Sequence, residues 1–321
     1  MENPSPGRAV EIMSSQEDHS MASWGPGFIA FIDLLGFSDV VREARDENGM
    51  DKLCQRLDEY AGAVADSMTY DFLPASLANA IRRDSDEEYG TKRPSVDSDQ
   101  PVRLNYAIFS DCIVIYESGH AGPGGRGGQK LERLIRCCSQ LSYALLELEQ
   151  PFRGCIAAGN YCVRPDPKHK GVLVVGQPLL DAYKWEQRLQ WIGIVTHPTV
   201  PDQPSDPPNG STLDFFAGDK NSWHRLMCHR LKKIPLRADK ADKAKTPESL
   251  LAILPVQRTR VPNHEFLCFA RRSLESSIER LESLRRRAKE EKDIRKYDAT
   301  IKFYRAVQQE WSPKGPNCLP D

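Results

Sequence analysis

Phe28-Ile-Ala-Phe-Ile-Asp33-Leu-Leu-Gly36-Phe-Ser38 is the stretch from which the rest of the chain is read. Five apolar residues run straight into one carboxylate. A short apolar run rich in Ile and Phe reads as a buried strand. A carboxylate at its end is costly unless something positive meets it. Gly36 then permits a tight turn, and Ser38 can cap a helix. Backbone N–H groups at a glycine turn and helix start form a seat for anions. The segment thus offers a metal-seeking carboxylate beside a phosphate cradle built from Leu35, Gly36 and Phe37. An ordinary strand–turn–helix junction, with Asp33 capping the turn, is the plainer reading of the same residues.

The chain has 321 residues, 40% hydrophobic and 28% charged, with a formal net charge of −1. This is the make-up of a globular chain, and the charge balance gives no reason to expect nucleic-acid or membrane partners. Charges or prolines break every apolar run before it reaches bilayer length. Residues 1–25 are polar and lack a signal-peptide core, so a disordered lead-in and a cytoplasmic location are expected. Nine cysteines without zinc-type spacing read as buried thiols.

Around the opening strand the remaining elements fall in order. Val40, Val41, Leu53, Leu57, Tyr60, Ala61 and Val64 predict a helical region over 38–68, with Asp46-Glu-Asn-Gly49 as its break. Residues 71–101 read as an exposed loop. Val102–Phe109 and Cys112–Tyr116, separated by Ser110-Asp111, predict a hairpin with Asp111 at its tip. The glycine-rich 119–128 segment lacks the lysine spacing of a P-loop and reads as a connector. A helix is predicted over 129–149, strands over 152–159 and 172–175, a helix from Pro178 to about Leu189, and a strand over 191–195. Prolines from 198 to 208 argue for a loop, and Lys232, Lys233, Lys240, Lys243 and Lys245 for a solvated basic run. One long helix is predicted over 270–310. The chain is expected to divide into a domain over 26–197 and a loop-rich, helical extension over 198–321 that packs on it.

The order strand, helix, hairpin, helix, strand is that of an α+β, ferredoxin-like βαββαβ core. Asp33 and Asp111 would then meet at one rim of the sheet. Two carboxylates on adjacent strands suit hard divalent cations, and a pair of such ions can stabilise both oxygens of a phosphoryl displacement. The carbonyl of Leu34 is a candidate third ligand. Two unrelated turn aspartates are the alternative.

Phe31-Ile-Asp33-Leu-Leu-Gly36-Phe37, Phe109-Ser-Asp111, Arg153-Gly154-Cys-Ile-Ala-Ala-Gly159 and Gly176-Gln-Pro-Leu-Leu-Asp-Ala-Tyr-Lys184-Trp-Glu186 stand in an order and spacing that resembles a class III nucleotidyl cyclase. The resemblance spans about residues 28–195. It implies that Asp33 and Asp111 are the metal aspartates, holding two Mn²⁺ or Mg²⁺ per site. It puts Lys184 where the family has a transition-state arginine, reaching across from the second chain of a homodimer. Three base-reading or catalytic polar positions are changed: Leu180 stands for an asparagine, Ala107 near a lysine, and Leu173 for an aspartate. Purine reading loses its partners with them. The chain looks most like the bacterial Pycsar pyrimidine cyclases of anti-phage defence, whose cyclic UMP or cyclic CMP activates a separately encoded effector. By that likeness UTP is the expected substrate, with CTP as alternative. Tyr106 and Asn105 are candidates for contact with the base, with strand packing the plainer role for Tyr106, and Arg153 and Arg188 are candidates for charge on the α-phosphate. A catalytically silent nucleotide-sensing module is the other reading.

Overall fold

The 28–33 run lies inside a longer strand, β1 (Ser23–Leu34), around which the sheet is laid. The structure, a computed structural model, describes residues 23–68, 103–118, 127–166, 171–200, 228–231, 250–256 and 263–311. Of the lead-in expected over 1–25, residues 23–25 belong to β1 instead, and residues 1–22 lie outside the described residues, as do the 71–101 loop, residues 119–126 of the glycine-rich connector, residues 201–208 of the proline-rich loop and the basic run at 232–245.

After β1 come α1 (Phe37–Glu43) and α2 (Glu47–Met68), split where Asp46-Glu-Asn-Gly49 predicts. The hairpin is β2 (Arg103–Phe109) and β3 (Cys112–Ser118). Helix α3 (Gly127–Glu147) takes in the last two glycines of the supposed connector. Strands β4 (Phe152–Asp166) and β5 (Gly171–Gly176), helix α4 (Gln177–Arg188) and strand β6 (Gly193–Thr196) follow. Strands β7 (Cys228–Leu231) and β8 (Leu250–Ile253) and helices α5 (Asn263–Arg287) and α6 (Glu291–Glu310) complete the described chain.

Strand order is β2-β3-β1-β4-β6-β8-β7, with β5 paired to β4. Its first four strands, β4-β1-β3-β2, run antiparallel to their neighbours, which is the ferredoxin-like arrangement. The fold is therefore mixed α+β with C-terminal helices, as the element order predicts. β7 and β8 are strands that the proline-rich composition around them concealed. They extend the same sheet through antiparallel pairing of β8 with β6.

Register sorts side chains between the two faces. Ile32 opposes Ile113, and Ala30 opposes Ile115 and Ile156; all five are fully buried. Leu131, Leu134, Ile135, Cys138, Leu141 and Leu145 of α3 join the same core. The other face carries Phe31 and Asp33, and α4 covers part of it: Tyr183 meets Phe31 edge-on at 5.4 Å.

The single helix expected over 270–310 is two helices folded back on each other. Arg285 pairs with Asp298 and Arg305 with Glu282, which requires an antiparallel hairpin. Leu274, Ile278 and Leu281 on α5 and Tyr297, Ile301 and Tyr304 on α6 are its buried stripe. The break falls in Ala288-Lys-Glu-Glu-Lys-Asp293, where the apolar stripe lapses for lack of anything to bury. Thr300 docks the hairpin on the sheet: its Oγ1 accepts the Ile192 N–H at 3.0 Å.

Candidate functional site

β1 ends at Leu34, and the hairpin tip turns at Ser110-Asp111, where Ser110 takes a positive φ of 56°. The two ends are stapled, because the Leu34 N–H donates to the Asp111 carbonyl at 2.7 Å. Asp33 and Asp111 are thereby brought to one rim, as the topology predicts. Asp33 lies directly opposite Cys112 on β3 and Arg153 on β4. Direct partners share a face, so thiol, carboxylate and guanidinium stand in one row.

Asp33, Asp111 and Cys112 each offer one ligand atom, and the three atoms lie within 4.8 Å of one another. The Cys112 Sγ is 3.5 Å from Asp111 Oδ1 and 4.0 Å from Asp33 Oδ1. Two carboxylates fit Mg²⁺ or Mn²⁺, and the sulfur favours the softer of the two. On the other side of Asp33, Arg153 Nε donates to Asp33 Oδ2 at 3.4 Å and also contacts Glu186 of α4. The Glu186 side chain is only 2% exposed.

Burial, more than any neighbour, raises the Asp33 carboxyl above its ordinary value; Arg153 opposes the shift and Asp111 adds to it. Burial also pushes Glu186 up to about 8, with Arg153 again opposing and Asp33 adding. The Cys112 thiol is driven to about 12 by burial and then by the two aspartates. Burial and the crowding of acids act in the same direction on all three groups.

Tyr106 is on the wrong face. It opposes Ile115, and Ile115 opposes Ala30, so it belongs to the face away from Asp33. Asn105 and Ala107 share the Asp33 face instead. The Leu35 amide is not available to a phosphate, since it donates to the Pro151 carbonyl at 2.8 Å. Gly36 takes a left-handed φ of 77° and leads into α1. At that helix start the Asp39 amide already donates to the Gly36 carbonyl at 3.1 Å, and the Phe37 amide precedes the first intrahelical bond. Leu34 has a buried side chain and closes β1 beside the two aspartates. Lys184 is exposed on α4, next to exposed Tyr183. Arg188 is turned over the Trp185 ring at 4.8 Å.

Two residues of the cluster were missed as participants by sequence reasoning. Cys112 stands between the aspartates, and its place after Asp111 was the available signal. Glu186 is two residues past Lys184, on the same helix, and only its burial marks it out.

No protein-family model matches the chain, and no curated protein matches it. Among solved structures it is similar to the guanylyl cyclase Cya2, at 16% identity and a TM-score of 0.40, over 74% of this chain and 95% of that one. It is similar to the adenylyl cyclase CyaB from P. aeruginosa, at 12% and 0.39, over 75% and 98%. A bacterial light-regulated adenylyl cyclase gives 10% and 0.41, over 79% and 59%. These overlaps are loose, and the function has to be read from the residues themselves.

Proposed function

We propose that the chain is a class III nucleotidyl cyclase acting on a pyrimidine triphosphate, UTP before CTP, and that its product is a second messenger for a separately encoded effector in anti-phage defence. The observation that carries this reading is the meeting of Asp33 and Asp111, far apart in sequence, at the joined ends of β1 and the β2–β3 hairpin. With Cys112 they form a group that could hold a metal ion, which supports the reading.

In the reaction the ribose 3′-oxygen attacks the α-phosphorus, the bond to the β-phosphate oxygen breaks, and pyrophosphate leaves. Bound divalent cations, two by analogy with the family, would acidify the 3′-hydroxyl and neutralise the leaving phosphates. Asp33 and Asp111 would hold them, with the Leu34 carbonyl as a further oxygen. The Gly36 and Phe37 amides would receive the terminal phosphates. Lys184 would offset charge on the α-phosphate from a second copy, as a point charge rather than a planar fork. Val172, Leu173 and Val175 on β5 and Leu180 and Tyr183 on α4 are exposed, and apolar exposure of this extent beside Lys184 supports a homodimer. Leu173, Leu180 and Ala107 offer no polar edge to a purine, which favours the smaller base.

The test is incubation with each of the four ribonucleoside triphosphates and Mn²⁺, with products identified by mass. Cyclic UMP, or cyclic CMP in second place, is expected. A cyclic purine product would remove the pyrimidine assignment. Nucleotide binding without any cyclic product would favour a silent sensing module, as the leucine at 180 and the lysine at 184 would allow.

A further inference from the structure

The least solvated carboxyl in the site belongs to Glu186, whose side chain is 2% exposed and which no role in the reaction yet uses. Its carboxyl contacts the Arg153 guanidinium. Arg153 in turn stands 3.4 Å from Asp33, as its direct cross-strand partner. A guanidinium so close to a cation ligand is a competitor: it offers Asp33 a positive charge that any divalent ion must displace. The arrangement makes sense if a second carboxylate takes that guanidinium away.

We infer that Glu186 is a positioning residue that draws Arg153 to itself and so leaves Asp33 free to meet a divalent cation. This rests on the reading of Asp33 and Asp111 as cation ligands. Helix α4 is anchored to hold Glu186 there. Tyr183 packs on Phe31, and the Trp185 ring meets His197 edge-on at 5.1 Å. Gly154 lets the β4 backbone lie against β1 beside this row; a Cβ there would come within 2.8 Å of the Phe31 carbonyl. Arg153 therefore has little freedom to choose its partner by strand movement, and its Nε is shared between the Asp33 and Glu186 carboxyls, which also bond each other. Groups of this kind around a metal ligand commonly govern affinity through the ligand they orient.

The test is Mn²⁺ affinity, read from the free-ion electron paramagnetic resonance signal of the full chain without nucleotide. All variants are compared at one fixed pH. Glu186→Gln should weaken Mn²⁺ binding by about tenfold to a hundredfold. The double variant Arg153→Met/Glu186→Gln, which removes the competitor as well, should recover wild-type affinity. A purely structural ion pair would lower stability in both variants and leave Mn²⁺ affinity alone. Unchanged affinity in Glu186→Gln, or a double variant as weak as the single one, overturns the inference. Should Glu186→Gln fail to fold, Glu186→Asp decides. Its shorter carboxylate is withdrawn from Arg153, so weakened binding supports the inference and unchanged binding overturns it. Asp111→Asn is run alongside. If that variant binds Mn²⁺ like the wild type, the cation-site reading itself falls, by a result that does not involve Glu186.

Discussion

Replacing Gln150 with Leu strikes the joint that holds the end of β1. Gln150 is buried between α3 and β4. Its Oε1 accepts the Tyr60 hydroxyl at 2.6 Å, and its Nε2 donates to the carbonyls of Leu35 at 2.9 Å and Pro151 at 2.8 Å. One side chain thus ties α2, the turn after Asp33 and the start of β4. Leucine fills similar space and bonds none of them. The Pro151 carbonyl keeps the Leu35 N–H, so two groups are orphaned, the buried Tyr60 hydroxyl and the part-buried Leu35 carbonyl. Each orphan costs about 1–3 kcal/mol. The added apolar burial returns roughly 1–2 kcal/mol. The expected net loss is about 3 kcal/mol, measured as a lower urea midpoint at unchanged slope. Tyr60→Phe, which orphans only the amide oxygen, should lose about 1–2 kcal/mol by the same reasoning. A Gln150→Leu chain as stable as the wild type would refute the assignment of this joint.

The metal-free protein should lose stability as pH rises from about 4.5 toward about 8. A carboxyl held above its ordinary value of 4.5 keeps its proton more tightly when folded, and Glu186 is held at about 8. Its contribution is fully present below 4.5 and lost as pH climbs through 8. Urea midpoints across that range should fall in the wild type and stay flatter in Glu186→Gln; equal slopes would contradict the burial of that charge. Cys112, with its thiol driven to about 12, should be alkylated by iodoacetamide far more slowly than exposed Cys54. Peptide mapping that finds the two labelled together would show that the aspartates do not crowd it.

The strand, the hairpin and the meeting of the two aspartates were legible because each is written locally: apolar runs, a two-residue polar tip, and an element order with few packings. What lay beyond reach depended on pairing between distant segments. Ser23-Trp-Gly-Pro-Gly27 has the composition of a loop, yet it pairs with β4 from Gly159 to Val163. Gly27 leaves room there for the Tyr161 ring, which a Cβ would meet at 2.6 Å. Among the described residues β1 pairs with β3 only from Ile29 to Asp33, so no described ladder bond on that side falls at Pro26. Of the two candidates for the base, the count back from the tip puts Asn105 on the Asp33 face and leaves Tyr106 to strand packing on the opposite one. Arg153 reads in sequence as a phosphate ligand or a surface arginine. Only the register of β4 against β1 shows that its first neighbours are two carboxylates.

The most direct measurement is cyclic nucleotide formation against Mn²⁺ concentration for the wild type, Asp33→Asn and Asp111→Asn, each checked for an unchanged urea midpoint. If the two aspartates jointly hold the cations, the wild type turns over in a Mn²⁺-dependent way and either single substitution brings product to background. Turnover that survives in Asp33→Asn or Asp111→Asn at wild-type Mn²⁺ concentrations would contradict it.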